Sequence, residues 1–444
     1  MPIKNSKQKK KKKDNIEKEP KEKKEPAFQT VRGMHDILPK DEDRWKAIWN
    51  IGEKMSELYD FSLIETPILE SAALFEAGIG VGTDIVEKEM FSFKTKGDEV
   101  VVLRPEGTAP VMRSYIQHHL GRFSSPLKVY YVGQMFRYEK PQAGRYRAFH
   151  QWGFETIGEG DPFYDAQTIL LAVNFLKELG IKNVTLKINT VGCRVCRPNY
   201  RKKLLAYYKG EKKHLCADCL RRYEKNPMRL LDCKEEECKK MREDAPIILD
   251  HLCQSCNGHM KEVLELVEEN GLEYEPDPYL VRGLDYYNRT VFELIAKDSA
   301  GFALAGGGRY DYLGELVGGR MIPAVGVSLG MERLVEYMEE KKIFVKAKKK
   351  PGVFFVIIGD PAKKVGFRLI HKLRESNMRV LEAVGKKSLK AQLKAANRAG
   401  TELALMLGQK ECFEETVIIR DMRTGVQETV LAEKIIEETK KRLR

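Results

Sequence analysis

The sequence predicts an α+β protein: a mixed, antiparallel core that carries an insertion and is followed by a separate α/β domain. Three observations support this. Strand-like and helix-like stretches up to residue 340 follow one another without a regular βαβ rhythm. Eight of the nine cysteines fall between Cys193 and Cys256, which marks an inserted segment. Beyond a basic stretch, strands and helices alternate over roughly ninety residues, as a compact α/β domain requires.

A chain of 444 residues exceeds one ordinary core, so several domains are expected. Residues 1–26 hold eleven lysines against five acids and almost no apolar side chains, so a disordered tail is expected. It supplies nearly half of the formal net charge of +13, and either solubilises the chain or clamps nucleic-acid phosphates. The positive charge that remains favours a polyanionic partner. The Lys-rich start has no apolar secretory stretch, and no run approaches the about 18 apolar residues of a membrane span. A cytoplasmic protein with no membrane partner is expected, and cysteines in such a chain do not suggest a disulfide framework.

The elements follow in order. "RGMHDILPKDEDRWKAIWNIGEKMSELYDF" reads as a loop and then a helix, capped by Asp41 or Asp43, with Trp45, Ile48, Ile51 and Met55 at helical spacing. "SLIETPILES" is strand-like, and Pro67 favours an edge or interface position. "EVVVLRPEGTAPVMRSYIQHHL" reads strand, loop, helix. "LKVYYVGQMFRYE" and "RAFHQWGFETIG" form a hairpin around "KPQAGRY". "DPFYDAQTILLAVNFLKELG" is an amphipathic helix ending at Gly180. "VTLKINT" is a strand, strand signals return at Leu280, "GFALAGGG" and "AVGVSL", and "GMERLVEYMEE" is a helix. The expected divisions are the tail at 1–26, a first core part at 27–190, the cysteine-rich insertion at 191–262 and a second core part at 263–340. A linker at 341–350 and the α/β domain at 351–444 complete them.

Phosphate-binding glycine motifs of the familiar spacings are absent, and "AGGGRYD" sits at a strand's end, where it suits a close backbone approach. Arginines would therefore have to hold any nucleotide. Arg104, Arg137, Arg145, Arg147, Arg282 and Arg333 stand in suggestive places, each with a plain alternative as a structural ion pair or solvated residue. Together with Glu106, Gln151 and Glu155 they look like a site for a polyphosphate and a small charged molecule. "LVRGLDYYNRTVFE" has strand-like ends but an arginine, an aspartate and two tyrosines in its middle, more polar than a core strand needs.

The insertion holds Cys193 and Cys196, Cys216 and Cys219, Cys233 and Cys238, and Cys253 and Cys256. Thiolates at such spacings chelate tetrahedral Zn²⁺, and eight of them divide naturally into two four-cysteine sites. Spacing leaves the pairing open, and reduced, unligated thiols are the alternative. Cys412 stands alone and is expected to be inert.

These motifs resemble the class II aminoacyl-tRNA synthetases, and the histidyl-tRNA synthetases among them. "FRYE", "KPQAGRYR" and "FHQWGFE" resemble motif 2, "AVGVSLGMERL" resembles motif 3, and "SLIETPILES" the looser motif 1 of the dimer contact. "LVRGLDYYNRTVFE" and "AGGGRYDYL" are similar to that family's two histidine peptides, and "RGMHDILP" to its opening peptide, with Met34 where Thr is more usual. The resemblance runs from about residue 30 to the C-terminus, and the histidine peptides are its most specific part.

The resemblance implies a class II antiparallel catalytic core, a C-terminal anticodon-binding domain and a homodimer. The implied reaction is ligation of L-histidine to tRNA(His) with ATP and Mg²⁺ through a histidyl-adenylate. Arg282 and Arg137 would stand at the α-phosphate, Arg145 at the γ-phosphate, and Arg333 at the adenine or phosphates. Tyr286 and Tyr287 would wall the imidazole, with Glu155 and Gln151 meeting polar groups. Glu106, Gly107 and Thr108 would hold the α-amino group. Asp285 is expected to pair with a neighbouring arginine, and His150 to be an ordinary packed residue. Arg221, Arg222 and Lys225 of the insertion could touch the tRNA acceptor arm, and the basic helix "KKSLKAQLKAANRAG" other tRNA phosphates. The family does not itself require zinc. A regulatory paralogue without the C-terminal domain, a retired catalytic fold and a sister synthetase are the rivals, and the retained histidine peptides and arginines disfavour them.

Overall fold

The computed structural model describes residues 28–80, 82–142, 144–297, 303–343, 352–386 and 388–443. The expected tail at 1–26 and positions 344–350 of the expected linker lie outside the described residues. Contacts divide the chain into two compact units, one of residues up to 39 with 48–343, the other of 40–47 with those from 344 onward.

The first unit is built on an eight-stranded sheet, ordered Ser62–Leu63, Leu127–Phe136, Ala148–Ile157, Ala324–Gly330, Ala303–Arg309, Asn288–Ala296, Val184–Thr190 and Tyr274–Pro276. The inner neighbours pair antiparallel and the two outermost strands parallel. The expected hairpin is its longest ladder, running from Leu127 opposite Ile157 to Phe136 opposite Ala148. Period-two alternation buries Val129, Tyr131 and Met135 on one face. On the other face Tyr130 stacks on Trp152, ring centres 5.5 Å apart, and Gly52 of the helix Glu42–Leu58 lies flat against that indole.

The helix Glu42–Leu58 starts directly after Asp41, as its cap signal suggests. The helix Pro162–Glu178 is capped by Asp161, whose carboxylate accepts from Phe163 N–H at 2.9 Å. It is pinned to the sheet by a fully buried ion pair: Arg309, at the end of a central strand, forks onto Asp165 and also reaches Asp311 at 3.1 Å. Burial opposes the Asp165 charge, but Arg309 and the His259 hydrogen bond more than offset it, bringing the carboxyl down to about 2.

"SLIETPILES" makes two short strands, Ser62–Leu63 at the edge of the large sheet and Leu69–Ser71 at the edge of a three-stranded one, with Pro67 between. The pattern therefore gives the edge position correctly. Two expectations change. The strand of the "LVRGLDYY" stretch starts only at Asn288, and Leu280 to Tyr287 form a loop with no ladder partner, held by bonds to groups other than a neighbouring strand's ladder, such as Asp285 N–H to Ile79 O. Arg137 lies one residue beyond its strand, which ends at Phe136.

The cysteine-rich segment is a set of short helices, Cys196–Glu211, Ala217–Lys225, Glu236–Glu243 and Gln254–Glu269, the last packed along Pro162–Glu178. Its Tyr200, Leu204, Leu230 and Leu231 join one apolar cluster with Phe75, Tyr131 and Tyr286 of the core. In the second unit the strands run Val380–Glu382, Val353–Ile357, Leu403–Leu407, Thr416–Asp421, Gln427–Leu431. The first three are parallel, and two of these are buried along their whole length as expected, whereas the last two pair antiparallel and the final one is largely exposed.

Candidate active site

One cleft of the first unit, about 870 Å³ counted to its open mouth, collects nine of the candidate residues: Glu106, Thr108, Arg137, Arg145, Gln151, Arg282, Tyr286, Tyr287 and Arg333. Gly107 and Glu155 are not in its lining. Gly107 caps the helix Thr108–Gln117 and lies against the Tyr131 ring, where a side chain would not fit. Glu155 is buried one layer below.

The floor is a network of acids and hydroxyls. Glu106 accepts from the backbone N–H groups of Thr108 and Ala109 at 2.7 and 2.8 Å, and the Tyr286 phenol donates to it at 3.2 Å. The loop-to-helix turn of "RPEGT" thus caps its own helix with the residue expected to face an ammonium. Burial nevertheless raises the Glu106 carboxyl above its ordinary value, against those bonds. The Thr108 hydroxyl donates to Glu155 at 2.8 Å and the Tyr310 phenol donates to its other oxygen at 2.5 Å. Burial pushes Glu155 up to about 8, further than the two hydroxyls can lower it.

Four guanidinium groups and four carboxylates line the cleft, so its net charge is balanced and only the arrangement is specific. Arg145 reaches Glu139 at 3.1 Å, with Arg137 at 3.9 Å from the same carboxylate. Arg137 also donates to Pro105 O at 2.9 Å, and Arg333 to Gly144 O and Ala303 O at 2.8 and 2.9 Å. Arg282 pairs with Glu293, lies over the Tyr287 ring at 5.8 Å, and is held above its ordinary pKa by that carboxylate although burial opposes it. The glycines of "AGGGRYD" now have a use. A methyl group on Gly306 would overlap the Arg282 guanidinium, while Gly307 and Gly308 lie against the backbone of the neighbouring strands.

Two buried polar atoms in this cleft have no hydrogen-bond partner among the described residues: Arg282 Nε and Gln151 Oε1. Each unpaired buried group costs on the order of 1–3 kcal/mol, so both mark polar positions that packing alone does not satisfy.

Several expectations shift. Arg104 is structural, donating to Thr66 and Gln134. Arg147 stacks on Tyr138, 3.6 Å from the ring centre. His150 is tied to Glu332 of the helix Met331–Glu340 through its ring and its backbone N–H. Asp285 accepts from the Asn226 amide at 2.6 Å instead of pairing with an arginine; burial raises its carboxyl, with Arg229 and Arg197 acting on it only at a distance. Arg221, Arg222 and Lys225 form ion pairs with Asp84 and Glu87, and Arg222 also lines the wider groove described below. Tyr131, Tyr310, Glu139 and Glu293 were missed; all four stand inside quoted stretches, but nothing local set them apart.

The eight cysteines form two clusters, Cys193, Cys196, Cys253 and Cys256, and Cys216, Cys219, Cys233 and Cys238, each with all sulfurs within 4.8 Å of one another. The first pair of the sequence joins the fourth, and the second joins the third. The Sγ separations of 3.7 and 3.8 Å match the about 3.8 Å edge of a tetrahedron with Zn–S bonds of about 2.3 Å. Backbone N–H groups point at the sulfurs, Cys253 N at Cys196 Sγ (3.1 Å) and Val195 N at Cys193 Sγ (3.3 Å), which favours thiolate. A divalent ion that prefers four thiolates fits both clusters. Cys412, in the second unit, is far outside them in sequence and has a thiol raised by burial.

A wider groove shares Arg137, Arg145, Arg282 and Arg333 with the cleft and continues along the insertion past Lys187, Lys234, Lys239 and Arg242.

Comparison with known proteins follows the same geography. Residues 33–334 match the histidyl-tRNA synthetase family and residues 352–442 the anticodon binding domain family. The histidine–tRNA ligase of Natranaerobius thermophilus is 43% identical over 398 residues, covering 89% of this chain and 94% of its own. That of Halothermothrix orenii is 42% identical over 412 residues, covering 92% and 98%. The crystal structure of apo S. aureus histidyl-tRNA synthetase superposes with a TM-score of 0.78 at 34% identity, covering 93% of this chain and all of that one.

Proposed function

The chain belongs to the histidyl-tRNA synthetase family, and from that premise we propose how its cleft carries out the ligation of histidine to tRNA with ATP. Histidine lies with its imidazole against Tyr286 and Tyr287, its ammonium toward Glu106 and Thr108, and its carboxylate toward Arg282. ATP lies beside it, the α-phosphate between Arg137 and Arg282, the γ-phosphate at Arg145 and the adenine against Arg333.

The histidine carboxylate oxygen bonds to the α-phosphorus while the bond to the β-phosphate oxygen breaks, and pyrophosphate leaves. Charge that builds on the α-phosphoryl oxygens meets guanidinium groups that are already fixed and always protonated. The 3′-terminal hydroxyl of tRNA(His) then attacks the carbonyl carbon and AMP leaves. Mg²⁺ accompanying ATP would neutralise phosphate charge, and Glu139, Glu293 and Glu332, the cleft carboxylates not assigned to the ammonium, would be the residues to hold it.

One observation carries this reading: a single cleft gathers the tyrosine pair, Glu106, Gln151 and four arginines, with Arg282 Nε and Gln151 Oε1 left without a partner among the described residues. Glu155, one layer down, pairs with the ring nitrogen through the Thr108 and Tyr310 network. A ring without hydrogen-bonding nitrogens would have nothing to offer the tyrosine hydroxyls and Gln151 along its wall, which supports selection without an editing step.

The tRNA acceptor end follows the groove past Lys187, Lys234, Lys239 and Arg242, and the second unit binds the anticodon arm. Each thiolate cluster holds a structural Zn²⁺. The protein acts as a cytoplasmic homodimer through the exposed Leu63, Ile68 and Leu69 around Pro67. Among the described residues no helix is long and apolar enough to cross a membrane.

The test is histidine-dependent exchange of pyrophosphate into ATP by the purified protein. Exchange with histidine alone among the amino acids is expected. No exchange, or equal exchange with others, overturns the assignment.

A further inference from the structure

The loop Leu280 to Tyr287, which carries Arg282 and both tyrosines, has no ladder partner, so something else must fix it. Its backbone is gripped at several points. Asn189 donates to Leu280 O at 3.0 Å and Asp285 N–H donates to Ile79 O at 3.0 Å. Three further grips come from the insertion. Arg229 donates to Arg282 O at 3.1 Å, Asn226 donates to the Asp285 carboxylate at 2.6 Å, and Arg197 donates to Tyr287 O.

These three residues share one feature: each lies beside or between the cysteines of a four-thiolate cluster in the chain. Asn226 and Arg229 lie in the stretch 220–232, whose ends are Cys219 and Cys233 of one cluster. Arg197 follows Cys196 of the other, and its backbone N–H donates to Cys193 O at 3.0 Å. The fit is close on the loop's side as well. A side chain on Gly283 would press on Arg229 at 3.2 Å, and one on Gly80 would press on Asp285 at 2.9 Å.

We propose that the two thiolate clusters, with metal bound, are a two-ended clasp on the histidine loop, and that Arg197, Asn226 and Arg229 are positioning residues for histidine activation. The proposal rests on the reading that the clusters hold Zn²⁺. A metal ion closes the stretch 220–232 and fixes the turn at Cys196, and the three donors then hold the loop at Arg282 O, the Asp285 carboxylate and Tyr287 O. Without the ion, the thiols of each cluster, three buried and one half-buried, lose the bonds that would join them, and the donors lose their registration. A shift of about an ångström at a reacting group costs on the order of a hundredfold in rate, so a small relaxation would be visible.

The experiment measures metal content together with histidine and ATP kinetics of pyrophosphate exchange in the full-length protein. Asn226→Ala and Arg229→Ala are expected to keep their metal while kcat/KM for histidine falls about ten- to a hundredfold and KM for ATP stays within about twofold. Asn226→Asp keeps the size of the side chain but sets a carboxylate against Asp285; it should be at least as impaired as Asn226→Ala, which a packing role would not produce. Wild-type protein stripped by chelator should show the same histidine-specific loss and recover with Zn²⁺. Unchanged histidine kinetics in the metal-loaded variants, or equal loss for histidine and ATP, overturns the clasp. Stripped protein with full histidine activity overturns its dependence on metal. Absence of metal from freshly purified protein overturns the zinc reading instead, and the kinetics of the variants then decide the role of the three donors by themselves.

Discussion

Thr108 donates its hydroxyl to Glu155 across 2.8 Å, joining the first turn of a helix to a carboxyl buried in the central sheet. The pair comes from positions 47 residues apart and ties the cleft wall to the acid beneath it.

Burial raises Glu155 to about 8, from an ordinary value of 4.5, and the sign of the consequence follows. Between those two values the unfolded chain releases the proton that the folded protein keeps. The group's contribution to stability is therefore full below pH 4.5 and is lost as pH rises toward 8. Glu155→Gln should remove this slope: the stability of wild type relative to the variant, from denaturant melts, should fall between about pH 5 and pH 8. A parallel pair of curves would refute the shifted carboxyl.

Gly306 leaves room for the Arg282 guanidinium, and a methyl group there would displace it. Gly306→Ala and Arg282→Ala should both reduce pyrophosphate exchange, the latter by about 10²–10³-fold, as loss of a pre-set charge at a transition state does. Binding of tRNA, followed by filter retention, should change little. Equal loss of both activities would contradict a role at the α-phosphate.

The thiolate clusters predict two zinc ions per chain by elemental analysis. Cys233→Ser and Cys253→Ser should each lose one ion. Chelation should lower the melting temperature, because a structural Zn²⁺ contributes folding free energy directly. A metal-free protein with an unchanged melting curve would count against both sites.

Around Pro67, Leu63, Ile68 and Leu69 are 60%, 46% and 52% exposed, an apolar patch on adjoining sheet edges. Ile68→Asp should convert a dimer to monomers in sedimentation velocity. A wild-type protein that sediments as a monomer at micromolar concentration would remove the dimer.

The motifs, the element types and the eight-cysteine pattern were legible in the sequence, because hydrophobic period, caps and close ligand spacing are local properties. Tertiary structure alone decided that the first cysteine pair joins the fourth, that Leu280 to Tyr287 leave the sheet, and that Arg221, Arg222 and Lys225 form ion pairs with Asp84 and Glu87. It also sank Glu155 below the cleft and put the Asn226 amide, and no arginine, on Asp285. Such outcomes depend on which groups meet across about 60 to 140 positions of chain, where burial and competing partners settle the choice and no local spacing records it.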